Sequence, residues 1–189
     1  MYLAAADIET TGLDPETCQT LEMAFVLDDQ SLPVMKCPYF LRLIRHDKIV
    51  GEPFALAMNA HLLKRIAEGE GTPPKYAMEH LSRWLLAHLR ISRNKWLADG
   101  PHKHFILLGK NVGSFDLQFL KRLDGWPKLM FKHRSCDVGS IYSTATEFPS
   151  QRGLLHLAEE YNITGNPHEA LFDARVSLAL ARRKWGINH

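Results

Sequence analysis

The segment DIETTGLDP, from Asp7 to Pro15, places two acids one residue apart at the end of a short apolar run. That run, from Tyr2 to Ile8, is ended by the turn-forming Thr-Thr-Gly and predicts a β-strand. Side chains at positions i and i+2 of a strand project to one face, so we expect Asp7 and Glu9 to lie side by side. Two carboxylates on a buried face repel each other, and a bound Mg²⁺ or Mn²⁺ would remove that cost. Alone, the D-x-E pattern is better explained by a solvated strand end.

Composition indicates an ordinary globular chain. The 189 residues are 46% hydrophobic and 23% charged, which suits one sizeable core, and we expect a single domain over residues 1–189. No apolar stretch is long enough to span a bilayer and no secretory signal is recognisable, so the expected location is cytoplasmic, without a membrane partner. The net charge of +2 argues against a protein that grips a long duplex, but not against one that holds a few nucleotides at a metal site.

The order of predicted elements indicates an α/β domain with a mixed sheet. Three strands, over Tyr2–Ile8, Thr20–Leu27 and Tyr39–Ile44, are joined too briefly for crossover helices and predict an antiparallel meander. Further strands are predicted over His104–Leu108 and Arg134–Val138, and helices over Asn59–Ala67, Tyr76–Leu89, Ser114–Leu123, Gly153–Tyr161 and Glu169–Trp185. Ser114 is the expected N-cap of its helix. The polar segment Ser92–Lys103 is best interpreted as a loop.

Three motifs together carry a family resemblance. DIETTGLDP closely resembles the first motif of the DEDD 3′–5′ exonucleases, the DnaQ-like family, which includes polymerase proofreading subunits, RNase T and oligoribonuclease. GKNVGSFDLQFL, with Asp116, is similar to the second motif, and PHEALFDARVS supplies His168 and Asp173 in the H-x-A-x-x-D pattern of the His subclass. The resemblance extends from Asp7 to Ala181. It implies an RNase H-like fold, a mixed five-stranded sheet flanked by helices, and removal of nucleotides from single-stranded DNA or RNA 3′ ends.

The resemblance implies that four acids, Asp7, Glu9, Asp116 and Asp173, bind catalytic metals. Four carboxylates are too many negative charges for one pocket, and two divalent ions, Mg²⁺ or Mn²⁺, roughly 3.5–4 Å apart would balance them and suit phosphodiester hydrolysis. We expect Asp7 to bridge both ions, Glu9 and Asp173 to hold the ion that binds the attacking water, and Asp116 to serve the second. His168, in the loop before its helix, is expected to take the proton from that water and yield nucleoside 5′-monophosphates.

The structural alternatives are ordinary: an acid in a first helical turn is favoured by the helix dipole, and a lone His is often structural. In the family, the segment Thr10, Thr11, Gly12 and Leu13 contacts the terminal nucleotide, with Leu13 as a wedge against a base. The further substrate candidates are Asn59, for which N-capping is the alternative, Asn111, and Phe115, for which the alternative is the core. The role of Glu22 stays open, Asp137 is expected to be an N-cap, and the loop around Trp96 is a candidate strand guide.

Two other functions compete with the exonuclease. One is an RNase H-like endonuclease, against which the late H-x-A-x-x-D argues. The other is a catalytically idle module that binds nucleic acid or a polymerase, against which the five intact candidate residues argue. The choice between DNA and RNA stays open, because the 2′-OH is recognised by local contacts. By resemblance, the expected partners beyond short or single-stranded substrates are a second copy of the chain and a polymerase.

Overall fold

The five strands form one mixed sheet at the centre of the molecule. The computed structural model describes residues 2–89, 104–125, 130–142, 153–160, 163–166 and 168–187. The strands are β1 (Tyr2–Thr10), β2 (Thr20–Leu27), β3 (Tyr39–Leu43), β4 (Phe105–Gly109) and β5 (Phe131–Asp137), in the spatial order β3-β2-β1-β4-β5. β1 pairs antiparallel with β2 and β2 with β3, whereas β1 and β4, and β4 and β5, run parallel. This confirms the predicted sheet of three antiparallel strands followed by parallel ones.

Helices cover both faces of the sheet. The described helices are α1 (Pro53–Met58), α2 (Ala60–Ala67), α3 (Pro74–His88), α4 (Asp116–Arg122), α5 (Val138–Tyr142), α6 (Leu154–Glu160) and α7 (Ala170–Lys184), with a 3₁₀ turn at Val34–Lys36. Helices α3 and α4 pack on one face, and α5, α6 and α7 pack on the other. Helix α2 packs on the ends of β2 and β3. None of the helices in the described ranges is both long and apolar enough to cross a membrane.

The central strand β1 is buried on both faces, which explains its continuous apolar sequence. Ala4, Ala6 and Ile8 contribute to the core under α3 and α4, while Ala5 contributes to the core under α7. Because side chains alternate along a strand, the residues that continue the Ala5 side are Asp7 and Glu9. The two acids therefore face the layer that contains α7.

Three local predictions were wrong. Ser114 does not cap a helix: α4 begins at Asp116, and the Ser114 hydroxyl donates to the Asn111 carbonyl oxygen at 3.1 Å. The segment Pro53–Met58 is a separate helix that was not predicted, because six residues are too short to establish a helical period. β5 begins at Phe131, three residues before the predicted strand, and a short helix follows it. The predicted loop Ser92–Lys103, including Trp96, lies outside the described residues.

Candidate active site

Asp7 and Glu9 lie on the same face of β1, near the C-terminal end of the strand. Glu9 is 7% exposed, and Asp7 is partly exposed. Burial raises the pKa of Glu9 from 4.5 to about 8, and the charge of Asp173 adds to the rise. Burial also raises the pKa of Asp7 well above its usual range, followed by the charges of Asp116 and Asp173. Each carboxylate thus resists ionisation chiefly because it is buried, and the neighbouring negative charges add to this.

Asp116 reaches the same place from α4. It is the first residue of that helix and is 3% exposed. Its Oδ1 accepts the backbone N–H of Ile8 at 3.1 Å, which ties the helix directly to β1 between the two acids. Burial raises the pKa of Asp116 to about 7, although this backbone donor works in the opposite direction. The first side chain of α4 is therefore bonded to the central strand, and no side chain caps this helix.

Asp173 and His168 come from the start of α7. One ligand atom each from Glu9, His168 and Asp173 lies within 4.8 Å of the other two, in a cluster that could hold a metal ion. The His168 backbone N–H donates to Asp173 Oδ2 at 3.3 Å. Burial raises the pKa of Asp173 to about 6, and its Oδ1 is buried without a hydrogen-bond partner. The third motif therefore meets the first although about 160 residues of chain separate them.

Two candidate site residues adopt a left-handed backbone. Among the described residues, Asn111 (φ 56°) and His168 (φ 62°) are the non-glycine residues with positive φ. This conformation is uncommon for residues with a side chain and recurs at functional sites. Asp137 holds the first of them, since its Oδ2 accepts the Asn111 N–H at 2.6 Å. Its Oδ1 accepts the Ser140 N–H at 2.9 Å, which confirms the predicted N-cap.

The loop after β1 is held by its own side chains. The Thr10 hydroxyl donates to the Gly12 carbonyl oxygen at 2.7 Å, and the Thr11 hydroxyl donates to the Val50 carbonyl oxygen at 2.6 Å. A Cβ at Gly12 would meet the side chains of Cys18 and Glu52, so a larger residue there would have to displace both. The next side chain, Leu13, is 73% exposed. The two threonines therefore shape the loop, and Leu13 is the side chain that it presents to solvent.

Asn59 lies between α1 and α2, and its side chain caps neither helix. It is 1% exposed, and its amide nitrogen donates to the Thr10 carbonyl oxygen at 3.0 Å. A hydrogen bond from the same side chain lowers the pKa of Glu9. Its Oδ1 is buried and has no hydrogen-bond partner. Asn59 therefore contacts the first motif from inside the protein, and the predicted N-cap role is wrong.

Phe115 packs on Phe119, with ring centroids 5.1 Å apart and planes at 54°. It is half-buried against the core between the sheet and α3, as the structural alternative held. An aromatic residue that sequence reasoning missed is Phe54, on α1, which is 78% exposed. Helix α1 starts directly after Glu52, whose carboxylate accepts the Leu13 N–H at 3.3 Å. In the sequence, the available sign of Phe54 was an aromatic residue in a segment for which no helix or strand was predicted.

Comparisons with known proteins agree with this geometry, although no protein-family model matches the chain. The oligoribonuclease of Aeromonas hydrophila subsp. hydrophila is 25% identical over 177 residues, which cover 92% of this chain and 87% of the relative. The solved nuclease domain of 3'hExo, a DEDDh family member bound to rAMP, has a TM-score of 0.68 at 16% identity, over 98% of this chain and 92% of that chain. E. coli Exonuclease I in complex with a 5cy-dT13 oligonucleotide has a TM-score of 0.66 at 15% identity, over 96% of this chain.

This chain spans only 40% of the Exonuclease I chain, so that likeness concerns the fold. Together the comparisons confirm the resemblance to the DnaQ-like DEDDh 3′–5′ exonucleases that the three motifs predicted. They also support the expected class of enzyme, a nuclease that hydrolyses phosphodiester bonds.

Proposed function

We propose that the chain, as a single domain over residues 1–189, is a metal-dependent 3′–5′ exonuclease of single-stranded DNA or RNA. It removes nucleoside 5′-monophosphates one at a time from the 3′ end. The observation that carries the proposal is the convergence of acids from β1, α4 and α7 with a histidine at one place. Glu9, His168 and Asp173 offer ligand atoms within 4.8 Å of one another, and Asp116 bonds to the strand between Asp7 and Glu9.

The residues at this place fit divalent cations. Carboxylate oxygens are the ligands that Mg²⁺ and Mn²⁺ prefer, and the Asp173 Oδ1 is buried without another partner. The acids that pair with Lys64, Arg65, Arg83, Arg122 and Arg182 lie outside this group of four. The ligands that we assign to two such cations are Asp7, Glu9, Asp116 and Asp173. When bound, the cations would stabilise negative charge on the phosphate and on the leaving 3′ oxygen.

We assign proton removal to His168. Histidine is the side chain that most often acts as a general base, and a neutral imidazole can take a proton from the attacking water. It is exposed, whereas Glu9 and Asp173 in the same cluster are buried, so its ring can meet water that enters from solvent. The bond between its own N–H and Asp173 Oδ2 holds the His168 backbone near the acids, and a ring nitrogen of the exposed side chain lies within 4.8 Å of ligand atoms of Glu9 and Asp173. Asp173 therefore orients the base as well as serving as a ligand.

Substrate contacts follow from the exposed side chains beside the acids. We assign the terminal nucleotide to the loop of Thr10, Thr11, Gly12 and Leu13. The loop backbone would pass beside the sugar and phosphate, and the exposed Leu13 side chain would meet a base. The proposed substrate-binding residues also include Asn59, Asn111 and Phe115. Asn59 would act through the loop, because its buried amide donates to the Thr10 carbonyl oxygen. We add Phe54 as a platform for a base, because stacking on an exposed ring tolerates any sequence.

The relatives support a nucleic acid substrate without choosing between DNA and RNA. The similar 3'hExo domain was solved with rAMP, and the similar Exonuclease I with an oligonucleotide. The oligoribonuclease relative, which this chain matches over most of its length, favours short RNA as the first substrate to try. A second copy of the chain or a polymerase as partner, and a cytoplasmic location, remain predictions.

The direct test uses 5′-labelled single-stranded DNA and RNA oligomers with Mg²⁺, Mn²⁺ or a chelator. We expect a ladder that shortens from the 3′ end, is abolished by the chelator and by Asp7→Ala, and is unchanged by Glu79→Ala, which removes an exposed acid on α3. Circular single strands should stay intact, which separates this function from an endonuclease. If the folded protein cleaves neither polymer with either metal, the idle nucleic-acid-binding module becomes the better account.

A further inference from the structure

Glu22 is a buried carboxylate that the proposed mechanism does not use. It is 5% exposed and lies on β2 directly opposite Glu9 in the antiparallel pair. Side chains of directly opposed residues project to the same face of a sheet, so Glu22 faces the layer that contains α7. A buried carboxylate is costly unless it is hydrogen-bonded and paired with a charge. The contacts of Glu22 therefore indicate which structural role accompanies the burial of its carboxylate.

Its first contact is the beginning of α7. Burial raises the pKa of the Glu22 carboxyl, and the Ala170 backbone N–H is one of the groups that lower it, so the carboxylate lies near this helix end. Ala170 is the first residue of α7, and the N-cap residue Glu169 makes no side-chain cap hydrogen bond. The first N–H groups of a helix have no partner within it, and a negative charge near them is favourable. Glu22 thus places a carboxylate from β2 near these N–H groups.

Its second contact is Arg65 on α2. Arg65 Nη1 lies 3.7 Å from Glu22 Oε1. The same guanidinium is oriented by Glu70, whose Oε2 accepts from Nε at 3.0 Å and from Nη2 at 2.9 Å. The positive charge of Arg65 compensates the buried charge of Glu22 and links α2 to the Glu22 carboxylate. Strand β2, helix α2 and helix α7 therefore meet at one carboxylate.

We propose that Glu22 is a positioning residue, which joins β2 to the first residue of α7 and so holds Asp173 and His168 at the distance from Glu9 that cation binding requires. Asp173 lies in the first turn of α7, and His168 lies two residues before it. A displacement of this helix end would move both residues away from β1 while leaving the sheet intact. The inference rests on the proposed function, because it gives Glu22 this role only if the acids bind a cation.

The test is a calorimetric titration of the full chain with Mn²⁺, with Glu22→Gln as the variant. Glutamine keeps the volume and an acceptor oxygen but loses the charge that Arg65 and the helix end require. We expect the Mn²⁺ dissociation constant to rise about tenfold, the scale typical of partners behind metal ligands. The turnover number on an oligonucleotide should fall by a similar factor while KM stays the same. Glu79→Gln, which neutralises an exposed acid on α3 that pairs with Arg83, should bind Mn²⁺ as the parent does.

A second variant guards against a folding defect. Arg65 is 44% exposed, so Arg65→Gln should fold, and it should weaken Mn²⁺ binding in the same direction. An unchanged Mn²⁺ affinity in Glu22→Gln, or in Arg65→Gln if the first variant does not fold, would overturn the proposal whatever the melting temperature does. Asp7→Asn in the same series separates the two claims. If the parent binds no Mn²⁺, or if Asp7→Asn binds Mn²⁺ as the parent does, the proposed metal site itself is refuted.

Discussion

Removing the charge of Glu9 should stabilise the metal-free protein while it inactivates the enzyme. Burial and the charge of Asp173 raise the pKa of Glu9 from 4.5 to about 8 in the folded state. Between these values the folded protein holds a proton that the unfolded chain has released. The stability associated with this carboxyl is therefore complete below pH 4.5 and is lost as pH rises to about 8. Glu9→Gln removes this dependence, and its amide oxygen can keep the Asn59 contact.

The magnitude follows from the same two values. Relative to a carboxyl with the unfolded pKa, Glu9 costs the folded state about 2 kcal/mol at pH 6, where it is protonated, and about 5 kcal/mol at pH 9, where it is ionised. Glu9→Gln should therefore raise the free energy of unfolding more at pH 9 than at pH 6, by about 3 kcal/mol. The neighbouring acids should also ionise more easily in the variant, which adds to the gain at high pH.

The assay is urea unfolding, followed by circular dichroism, at pH 6 and pH 9 with a chelator present. Glu68→Gln, an exposed acid on the α2 side, is the matched control and should change stability equally at both pH values. Added Mn²⁺ should reverse the order, stabilising the parent more than Glu9→Gln. If Glu9→Gln is no more stable than the parent at pH 9 without metal, the buried acids do not repel one another as described.

Three further changes test separate parts of the account. His168→Ala should lower the turnover number at neutral pH by about 10²–10⁴-fold, and near-normal turnover would exclude it as the base. Arg182→Met should lower the free energy of unfolding by about 3–5 kcal/mol, because Arg182 is 1% exposed and donates to Asp28 Oδ1 at 2.7 Å. Urea unfolding measures this loss, and the catalytic rate of the folded enzyme should be unchanged. Phe54→Ala should raise KM for an oligonucleotide about tenfold in initial-rate assays without changing the melting temperature, and an unchanged KM would remove Phe54 from the substrate site.

Sequence patterns predicted the sheet and the acids because both depend on local spacing. The apolar run before Asp7 and the short connections after it were enough for β1, β2 and β3. The i, i+2 spacing of Asp7 and Glu9 put them on one face, and the alternation with Ala5 explains why that face meets α7. The start of α7 was also predictable, since the predicted helix began at Glu169 and the observed helix begins at Ala170.

What sequence alone did not predict depends on contacts between distant segments. Ser114 looked like an N-cap, but the helix starts at Asp116, whose carboxylate accepts the Ile8 N–H. Asn59 looked like an N-cap, yet its amide is bonded to the Thr10 carbonyl oxygen. The role of Glu22 required knowing that Ala170, about 150 positions later, returns to β2. None of these partners is visible in local composition.

The central claim is that this carboxylate cluster releases the 3′-terminal nucleotide. The most direct measurement identifies the first product that the enzyme releases with Mn²⁺ from an oligonucleotide whose two terminal nucleotides differ. The account predicts the nucleoside 5′-monophosphate of the 3′-terminal residue, formed by the parent and absent with Asp7→Asn. Release of internal fragments, of a 3′-monophosphate, or of the same product by Asp7→Asn would contradict it.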